Sequence, residues 1–233
     1  MKLNTYNFDT RSLFYLIPIV LLAQVITIVT VIVPYKLVQI GPFIYPGAAF
    51  LIPFFYILAD IISEVFGYKT MRYIMWMLIL ATLSFCLLIQ FVLVLSASPA
   101  DGYQHLYVTF FSPMWQIISI GIGGWFIGPL INSFIISKWK IILHGRYFWL
   151  RSIGSSIFGQ VSQVLFCTIL AFRDYVNADS LIKIILFAIA YKLMFAIVVS
   201  FPATLLTNYL KFKTNIDVYD MNTNYNPLKV YFN

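Results

Sequence analysis

Six long apolar runs constrain the fold of this chain more than any other feature of its sequence. They span residues 12–33, 43–66, 73–96, 110–136, 153–172 and 184–208. A helix needs about 20 mostly apolar residues to cross the hydrocarbon core of a bilayer, and each run has that length. Each run is apolar around its whole circumference, which is typical of helices surrounded by lipid or by other helices. We therefore predict an all-α membrane protein, a bundle of six transmembrane helices.

The composition excludes a soluble domain. Of the 233 residues 61% are hydrophobic and only 10% are charged, whereas soluble domains carry about 25% charged residues. The first run continues to about Val33 without a small-residue cleavage site, which favours an uncleaved first span over a signal peptide. We assign residues 1–210 to one transmembrane domain and residues 211–233 to a polar, loosely ordered cytoplasmic tail.

The basic residues predict the orientation of the bundle. With both termini inside, the inner segments hold eleven of the 15 basic residues and the outer loops hold three, which are Lys36, Arg173 and Lys183. Basic residues concentrate on the cytoplasmic side of membrane proteins. We therefore expect a multi-pass protein of the inner (plasma) membrane with cytoplasmic N- and C-termini.

The sequence carries no motif for a cofactor, a metal ion or a nucleic acid. Cys86 and Cys167 are isolated within apolar runs, and His105 and His144 lie far apart. The net charge of +7 comes from short clusters between the apolar runs, not from one basic surface. We expect no cofactor, no metal, no nucleic-acid partner and no enzymatic activity. The expected partners are membrane lipid and a small molecule, and a homodimer is compatible with the sequence.

Three ionisable residues lie inside the apolar runs: Asp60 and Glu64 in the second and Lys192 in the sixth. Such residues are costly in a membrane and usually face a cavity or a partner. Asp60 and Glu64 are four residues apart and share one helical face, and Lys192 is the obvious counter-charge. We predict a polar cavity between the second, fifth and sixth spans, with substrate-binding roles for Asp60, Glu64, Lys192, Gln163, Gln160 and Asn132.

Two structural interpretations compete with this binding site. Glu64 lies near the end of its span beside Lys69 and Arg72, where a surface ion pair would suffice. Asp60 and Lys192 could also form a buried pair without a ligand, and such pairs are weak evidence of stability because desolvation opposes their attraction.

Small residues and prolines shape the predicted helices. Gly124 and Gly128 in the fourth run, and Ser155 and Gly159 in the fifth, have the four-residue spacing that favours close helix packing. The prolines Pro46, Pro53, Pro129 and Pro202 predict kinks or interruptions beside the cavity, as in transporters with broken helices.

Three stretches resemble a known family. They are "ADIISEVFG" (59–67), "LRSIGSSIFGQVSQVLFCTILAF" (150–172) and "YKLMFAIVVSFP" (191–202), and they are similar to the queuosine precursor transporters, also called the vitamin uptake transporter family. The resemblance implies inward transport of 7-deazaguanine bases, the precursors of the tRNA nucleoside queuosine, with binding roles for Asp60, Glu64 and Lys192. The chain departs from the family pattern at Pro129, Asn132 and Gln163, where the family commonly has glutamine, aspartate and aspartate.

A deazaguanine base fits the chemistry of the predicted cavity. Its ring N–H and exocyclic amine form a donor pair that suits a carboxylate of Asp60 or Glu64, and its carbonyl accepts from Lys192 or Gln163. A flat ring also favours an aromatic partner. The candidates are Phe54, Phe55, Phe66, Phe166 and Tyr191.

Three functions remain open from the sequence. The first is a transporter that imports a queuosine precursor or a related planar heterocycle by alternating access. The alternative is a substrate-capture subunit of a larger vitamin or base import complex. The third is a membrane enzyme with Asp60 and Glu64 as an acid–base pair, but two carboxylates on one helix suit a binding face better than aspartyl chemistry.

Overall fold

The described part of the chain folds into seven α-helices, one 3-10 turn and one short hairpin. The computed structural model describes residues 9–33, 36–41, 43–96, 98, 102–112, 114–173 and 176–229. The elements are α1 (Thr10–Ile32), β1 (Leu37–Ile40), β2 (Phe43–Pro46), a 3-10 turn (Gly47–Phe50), α2 (Ile52–Phe66), α3 (Tyr68–Val94), α4 (Gln104–Phe111), α5 (Met114–Ile142), α6 (Phe148–Phe172) and α7 (Ala178–Thr214).

The prediction of a six-span helical bundle is confirmed. Six segments within the described part of the chain are long and apolar enough to cross a membrane. They comprise α1, the 3-10 turn with α2, α3, α4 with α5, α6, and α7. Several helices are longer than their apolar runs, and α7 has 37 residues. It ends at Thr214, so the first residues that the sequence assigned to the tail belong to the last helix.

The second apolar run does not begin as a helix. Residues 43–46 form the second strand of an antiparallel hairpin with β1, and α2 begins only at Ile52. Two prolines explain this boundary. Pro46 ends the strand and disfavours helical backbone at the residue before it, whereas Pro53 lies in the first turn of α2, where the missing N–H has no helical partner.

The fourth run is helical on both sides of Pro129. The helix α5 continues through Pro129 from Met114 to Ile142. A separate short helix, α4, precedes it in the chain. The predicted break is therefore absent from this stretch, and residues that the sequence placed in a loop, such as Lys140, lie within the last turn of α5.

The helix α2 lies at the centre of the bundle. About 67% of its spanning window is buried, against 22–39% for the other five spans. It packs against α1, α3, α5, α6 and α7, and Tyr56, Ile62 and Phe66 are completely buried along it. The two carboxylates that the sequence highlighted therefore face protein on every side and not lipid.

The helices α5 and α6 pack closely along their small residues, as the spacing of Gly124, Gly128 and Gly159 predicted. A Cβ at Gly159 would lie 2.7 Å from the carbonyl oxygen of Gly128 and 2.7 Å from the Cβ of Asn132. No side chain fits into a gap of this size. Glycine at these positions therefore allows the two backbones to approach, which brings Asn132 of α5 beside the face of α6.

Substitution of Gly159 by alanine is expected to destabilise the protein by about 1–3 kcal/mol, because the added methyl group overlaps backbone of α5. Thermal unfolding of the purified protein in detergent would measure the loss. Gly121→Ala in α5 is the matched control, since no atom lies within 4 Å of the added Cβ. Equal melting temperatures for the two variants would contradict the packing described above.

The turn between α2 and α3 requires glycine. Gly67 has a φ of 86°, and a Cβ at this position would lie 2.7 Å from the Cγ1 of Val218. Both the backbone conformation and the close approach exclude other residues. The glycine at the end of the "ADIISEVFG" stretch thus reverses the chain and leaves room for the segment that follows α7.

The segment after α7 is packed against the bundle, and the prediction of a loosely ordered tail is wrong for its described part. We name residues 215–229 the C-terminal segment. Its Val218 N–H donates to the Val65 carbonyl at 3.2 Å, and its Asp220 accepts from the Tyr68 N–H at 2.8 Å and from the Ser137 hydroxyl at 2.7 Å. These contacts fix the segment to α2, α3 and α5.

Candidate functional site

A large cavity lies in one half of the bundle. Its volume is about 530 Å³, within the range of small-molecule sites in proteins. It is bounded by the end of α1, the residues around the 3-10 turn, the first half of α5, the second half of α6 and the first half of α7. Most of its lining is apolar, and the polar lining residues are Thr30, Gln116, Gln163, Cys167, Thr168 and Lys192.

The charged group of the cavity is Lys192. Its ammonium donates to the side-chain oxygen of Gln163 at 3.2 Å, and both residues are about 2% exposed. Lys192 forms no ion pair with any residue that the structure describes, and the described lining residues include no arginine, aspartate or glutamate and no other lysine. The cavity therefore holds a basic group with no described carboxylate opposite it.

The prediction that Lys192 is the counter-charge of Asp60 and Glu64 is wrong in this structure. The residue of α7 that contacts Glu64 is Lys211. Lys192 precedes Lys211 by nineteen residues, which is about 28 Å along a helix. Glu64 lies in the last turn of α2, so the two groups occupy different depths of the bundle.

A second layer, which we name the hydrogen-bonded layer, lies between the cavity and the opposite end. Tyr56 donates to the Gly159 carbonyl at 3.2 Å. One turn further along α2, Asp60 accepts hydrogen bonds from the Asn132 amide and the Ser152 hydroxyl, one on each carboxyl oxygen. Asp60, Asn132 and Ser152 are completely buried. None of the ion pairs among the described residues includes Asp60.

Glu64 is the centre of a third, fully charged layer, which we name the charged cluster: Glu64, Lys140, Arg151, Lys211 and Asp217. Arg151 donates to both carboxyl oxygens of Glu64, one at 2.9 Å. Lys211 donates to Glu64 at 2.6 Å, and the Lys140 ammonium lies 3.8 Å away. A bidentate arginine contact of this kind combines strength with a fixed geometry.

The interpretation of Glu64 as a surface residue paired with Lys69 or Arg72 is therefore wrong in its location and its partners. The side chain of Glu64 is fully buried. Arg72 instead donates to the carbonyl oxygens of Asn224 and Asn226 in the C-terminal segment, at 2.7 and 2.8 Å.

The C-terminal segment completes the charged cluster. Lys140 donates to the Asp217 carboxylate and to the Val218 carbonyl, the latter at 2.7 Å. Lys211 lies 2.9 Å from Asp217. With Arg72 and with Trp76, which donates to the Pro227 carbonyl at 3.0 Å, these contacts close the end of the bundle opposite the cavity.

The electrostatic surroundings of Asp217 make its attachment dependent on pH. Burial alone would raise the pKa of Asp217, but the ammonium groups of Lys140 and Lys211 outweigh burial and hold this pKa below its ordinary value. Since the folded pKa is the lower one, the contribution of Asp217 is fully present above the ordinary aspartate pKa. It is lost only as the pH falls through the lowered value.

The structure thus places five of the six predicted binding residues in three layers. Lys192 and Gln163 line the cavity, Asp60 and Asn132 lie in the hydrogen-bonded layer, and Glu64 lies in the charged cluster. The sixth residue, Gln160, is about 2% exposed on α6, and its side-chain oxygen has no hydrogen-bond partner among the described residues.

The aromatic candidates do not line the cavity. Its described aromatic lining residues are Tyr45, Trp125 and Phe172. Of the five candidates, Phe54 is exposed and packs on Phe195, and Phe66 is part of the core around α2.

Sequence reasoning also missed Lys140, Arg151 and Lys211 as site residues, because it placed them in loops as topology signals. The available signal was the apolar sequence around them, such as Trp139, Ile141 and Ile142 beside Lys140. A basic residue flanked by apolar residues can lie within a helix as readily as in the loop that follows it.

Six helices that are long and apolar enough to cross a membrane, with a cavity between them, form an architecture that membrane transport proteins use. Comparison with known families agrees with this class. The family model described as "Putative vitamin uptake transporter" matches residues 46–207, and the chain belongs to this family. The match includes Asp60, Glu64 and Lys192 and ends before Lys211 and the C-terminal segment. No curated protein and no solved structure matches the chain.

Proposed function

We propose that the chain imports a 7-deazaguanine base, a queuosine precursor, by alternating access. The observation that carries this proposal is the cavity, which is lined by the polar pair Lys192 and Gln163, named here its polar floor, and by the aromatic ring of Trp125. Its volume of about 530 Å³ holds a bicyclic base with a small substituent. The family's description as a vitamin uptake transporter supports uptake of a small organic nutrient.

The polar floor suits the edge of such a base. The ammonium of Lys192 donates to the base carbonyl, as the sequence predicted. A carboxylate was the predicted acceptor for the ring N–H and the exocyclic amine, but no carboxylate is among the described lining residues. The side-chain oxygens of Gln163 and Gln116 take this role in our proposal, since an amide oxygen accepts two hydrogen bonds.

The charge of the cavity selects among bases. A positive group beside Lys192 meets an uncompensated ammonium in a largely apolar site, where like charges strongly oppose binding. We therefore expect the preferred base to carry an uncharged or anionic substituent. A base with an ammonium side chain is the disfavoured analogue.

The orientation of the protein follows from the basic residues and stays a proposal. Three of the eleven residues assigned to the inner side, Lys140, Arg151 and Lys211, are engaged with Glu64, and eight against three remain. In this orientation the cavity faces the outside and the charged cluster closes the cytoplasmic end. Release of the base inward then requires the charged cluster to separate.

Uptake of labelled deazaguanine bases by cells that lack both synthesis and import of queuosine precursors tests the proposal. We expect the chain alone to support uptake, and Trp125→Leu to reduce it about tenfold or more, since base stacking on an aromatic ring contributes about 1–3 kcal/mol. Trp115→Leu is the matched control, because Trp115 lies on the same helix and is exposed.

Three outcomes would contradict the proposal. Absence of uptake of every base by the correctly inserted chain alone would favour a capture subunit that needs further partners. Preference for an ammonium-bearing base over an uncharged one would contradict the assigned role of Lys192. Turnover of a base by the purified protein would instead point to an enzyme.

A further inference from the structure

The two carboxylates of α2 have opposite surroundings although they are only one helical turn apart. Glu64 contacts the cationic groups of Arg151, Lys211 and Lys140. Asp60 receives hydrogen bonds only from an amide and a hydroxyl among the described residues. Both side chains are buried. An ionised carboxylate without a cation is costly in such a place, whereas a protonated carboxyl group is not.

The cations near Asp60 form their ion pairs with other groups. The titratable and charged groups in its surroundings are Tyr56 and Glu64 on α2, Arg151 on α6, Lys140 on α5 and Lys211 on α7. The three cations contact Glu64, and the Tyr56 hydroxyl donates to a backbone carbonyl. The helices α1 and α3 also pack on α2, but within the described ranges they contribute no charged group in contact with Asp60.

The hydrogen-bond partners of Asp60 suit both of its protonation states. The side-chain oxygen of Asn132 is buried and has no hydrogen-bond partner in the described part of the chain, while the amide nitrogen of the same side chain donates to Asp60. An asparagine side chain presents either its donor or its acceptor after rotation by half a turn. It therefore donates to a carboxylate and accepts from a carboxylic acid at the same position.

The position of Asp60 connects it to the cavity. Tyr56 lies one turn closer to the cavity on α2, and a Cβ at Gly128 would contact both the Tyr56 hydroxyl and the Cβ of Gln163, 2.8 Å away. Gln163 forms the floor of the cavity with Lys192. Asp60 thus lies directly behind the floor, between the cavity and the charged cluster.

We propose that Asp60 is a proton-binding site of the transport cycle. Its carboxylic acid holds one proton while the charged cluster is closed, and it releases this proton as H⁺ to become a carboxylate when the cycle exposes it to the opposite side. Coupling of this step to movement of the base rests on the proposed function. One proton then accompanies each base, and an inward proton gradient drives accumulation.

Infrared spectra of the purified protein without a base test the protonation directly. At neutral pH we expect a band from the carbonyl stretch of a protonated buried carboxyl group, which disappears in Asp60→Asn. Asp179→Asn is the matched control, because Asp179 is exposed in the first turn of α7. Ser152→Ala removes a donor that favours the carboxylate, so the band should persist to higher pH in this variant.

Proteoliposomes test the coupling. We expect addition of base to wild-type liposomes to move protons in the same direction as the base, and Asp60→Asn to abolish accumulation driven by a pH gradient. Accumulation by Asp60→Asn that still follows the pH gradient would overturn the inference, as would an infrared band that survives this substitution. If wild-type liposomes transport no base, the proposed function fails, and the infrared titration still decides the role of Asp60.

Discussion

Replacement of Glu64 by glutamine is expected to destabilise the protein by about 3–5 kcal/mol, the range seen when one partner of a buried ion pair is removed. Glu64 is shared by three cations, and Arg151 beside it is completely buried. In the variant Arg151 keeps only neutral acceptors, which are the glutamine oxygen and backbone carbonyls such as those of Arg146 and Gly145, while the glutamine NH2 group replaces the second acceptor oxygen. Thermal unfolding in detergent and the yield of folded protein measure the effect.

Two further variants separate this effect from a general sensitivity of the region. Lys211→Gln should destabilise less, because Glu64 keeps Arg151 and Lys140 and because Lys211 is partly exposed. The double variant Glu64→Gln/Arg151→Gln should be more stable than Glu64→Gln, since it also removes the uncompensated guanidinium. A Glu64→Gln protein that melts with the wild type would contradict the charged cluster as a structural element.

Replacement of Lys192 by methionine is expected to reduce uptake of an uncharged deazaguanine base by about 10- to 100-fold. A hydrogen bond from a charged donor contributes about 1.5–3 kcal/mol to binding, and methionine fills the same space without a donor. The protein should nevertheless remain as stable as the wild type or become more stable, because the variant removes a buried ammonium that lacks a carboxylate partner. Uptake and thermal unfolding are measured on the same preparations.

The matched control for Lys192 lies on the same helix. Lys183 is exposed near the start of α7 and does not line the cavity, so Lys183→Met should leave uptake unchanged. The selectivity of the cavity should also change in Lys192→Met, with a relative gain for the base that carries an ammonium group. Unchanged uptake in Lys192→Met would contradict a role of the cavity floor in binding the base.

The architecture was predictable from the sequence because lipid imposes one strong rule on the backbone. Every spanning segment must be an apolar helix of sufficient length, and six runs satisfied this rule. The ends of the helices were harder to predict, because Lys140 and Arg151 resemble loop residues as long as their partner is unknown. The hairpin before α2 followed from Pro46 and Pro53 only in retrospect, as the same prolines also suit a kinked helix.

Burial of the two α2 carboxylates was easier to predict from the sequence than their pairing. The carboxylates of α2 were singled out because charges are rare in apolar runs, and both are buried between helices. Their partners could not be assigned, because pairing depends on the depth at which each helix presents its charges. Lys192 lies at a different depth in the bundle from Glu64, whereas Lys211, which does contact Glu64, was assigned to the tail. The depth of a side chain depends on how the helices pack together and cannot be read from the sequence of one span.

The wide sequence separation within the charged cluster affects how the chain is made. Glu64 is synthesised 76 residues before Lys140, 87 before Arg151 and 147 before Lys211. A carboxylate within a span is unfavourable on insertion scales, by about 2.5–3.5 kcal/mol at the helix centre and by less near its end, and no later cation is yet available to the nascent chain. We therefore expect α2 to integrate fully only after α5, α6 and α7 have been made, so that truncation before Lys211 should harm biogenesis even where it removes no residue of the cavity.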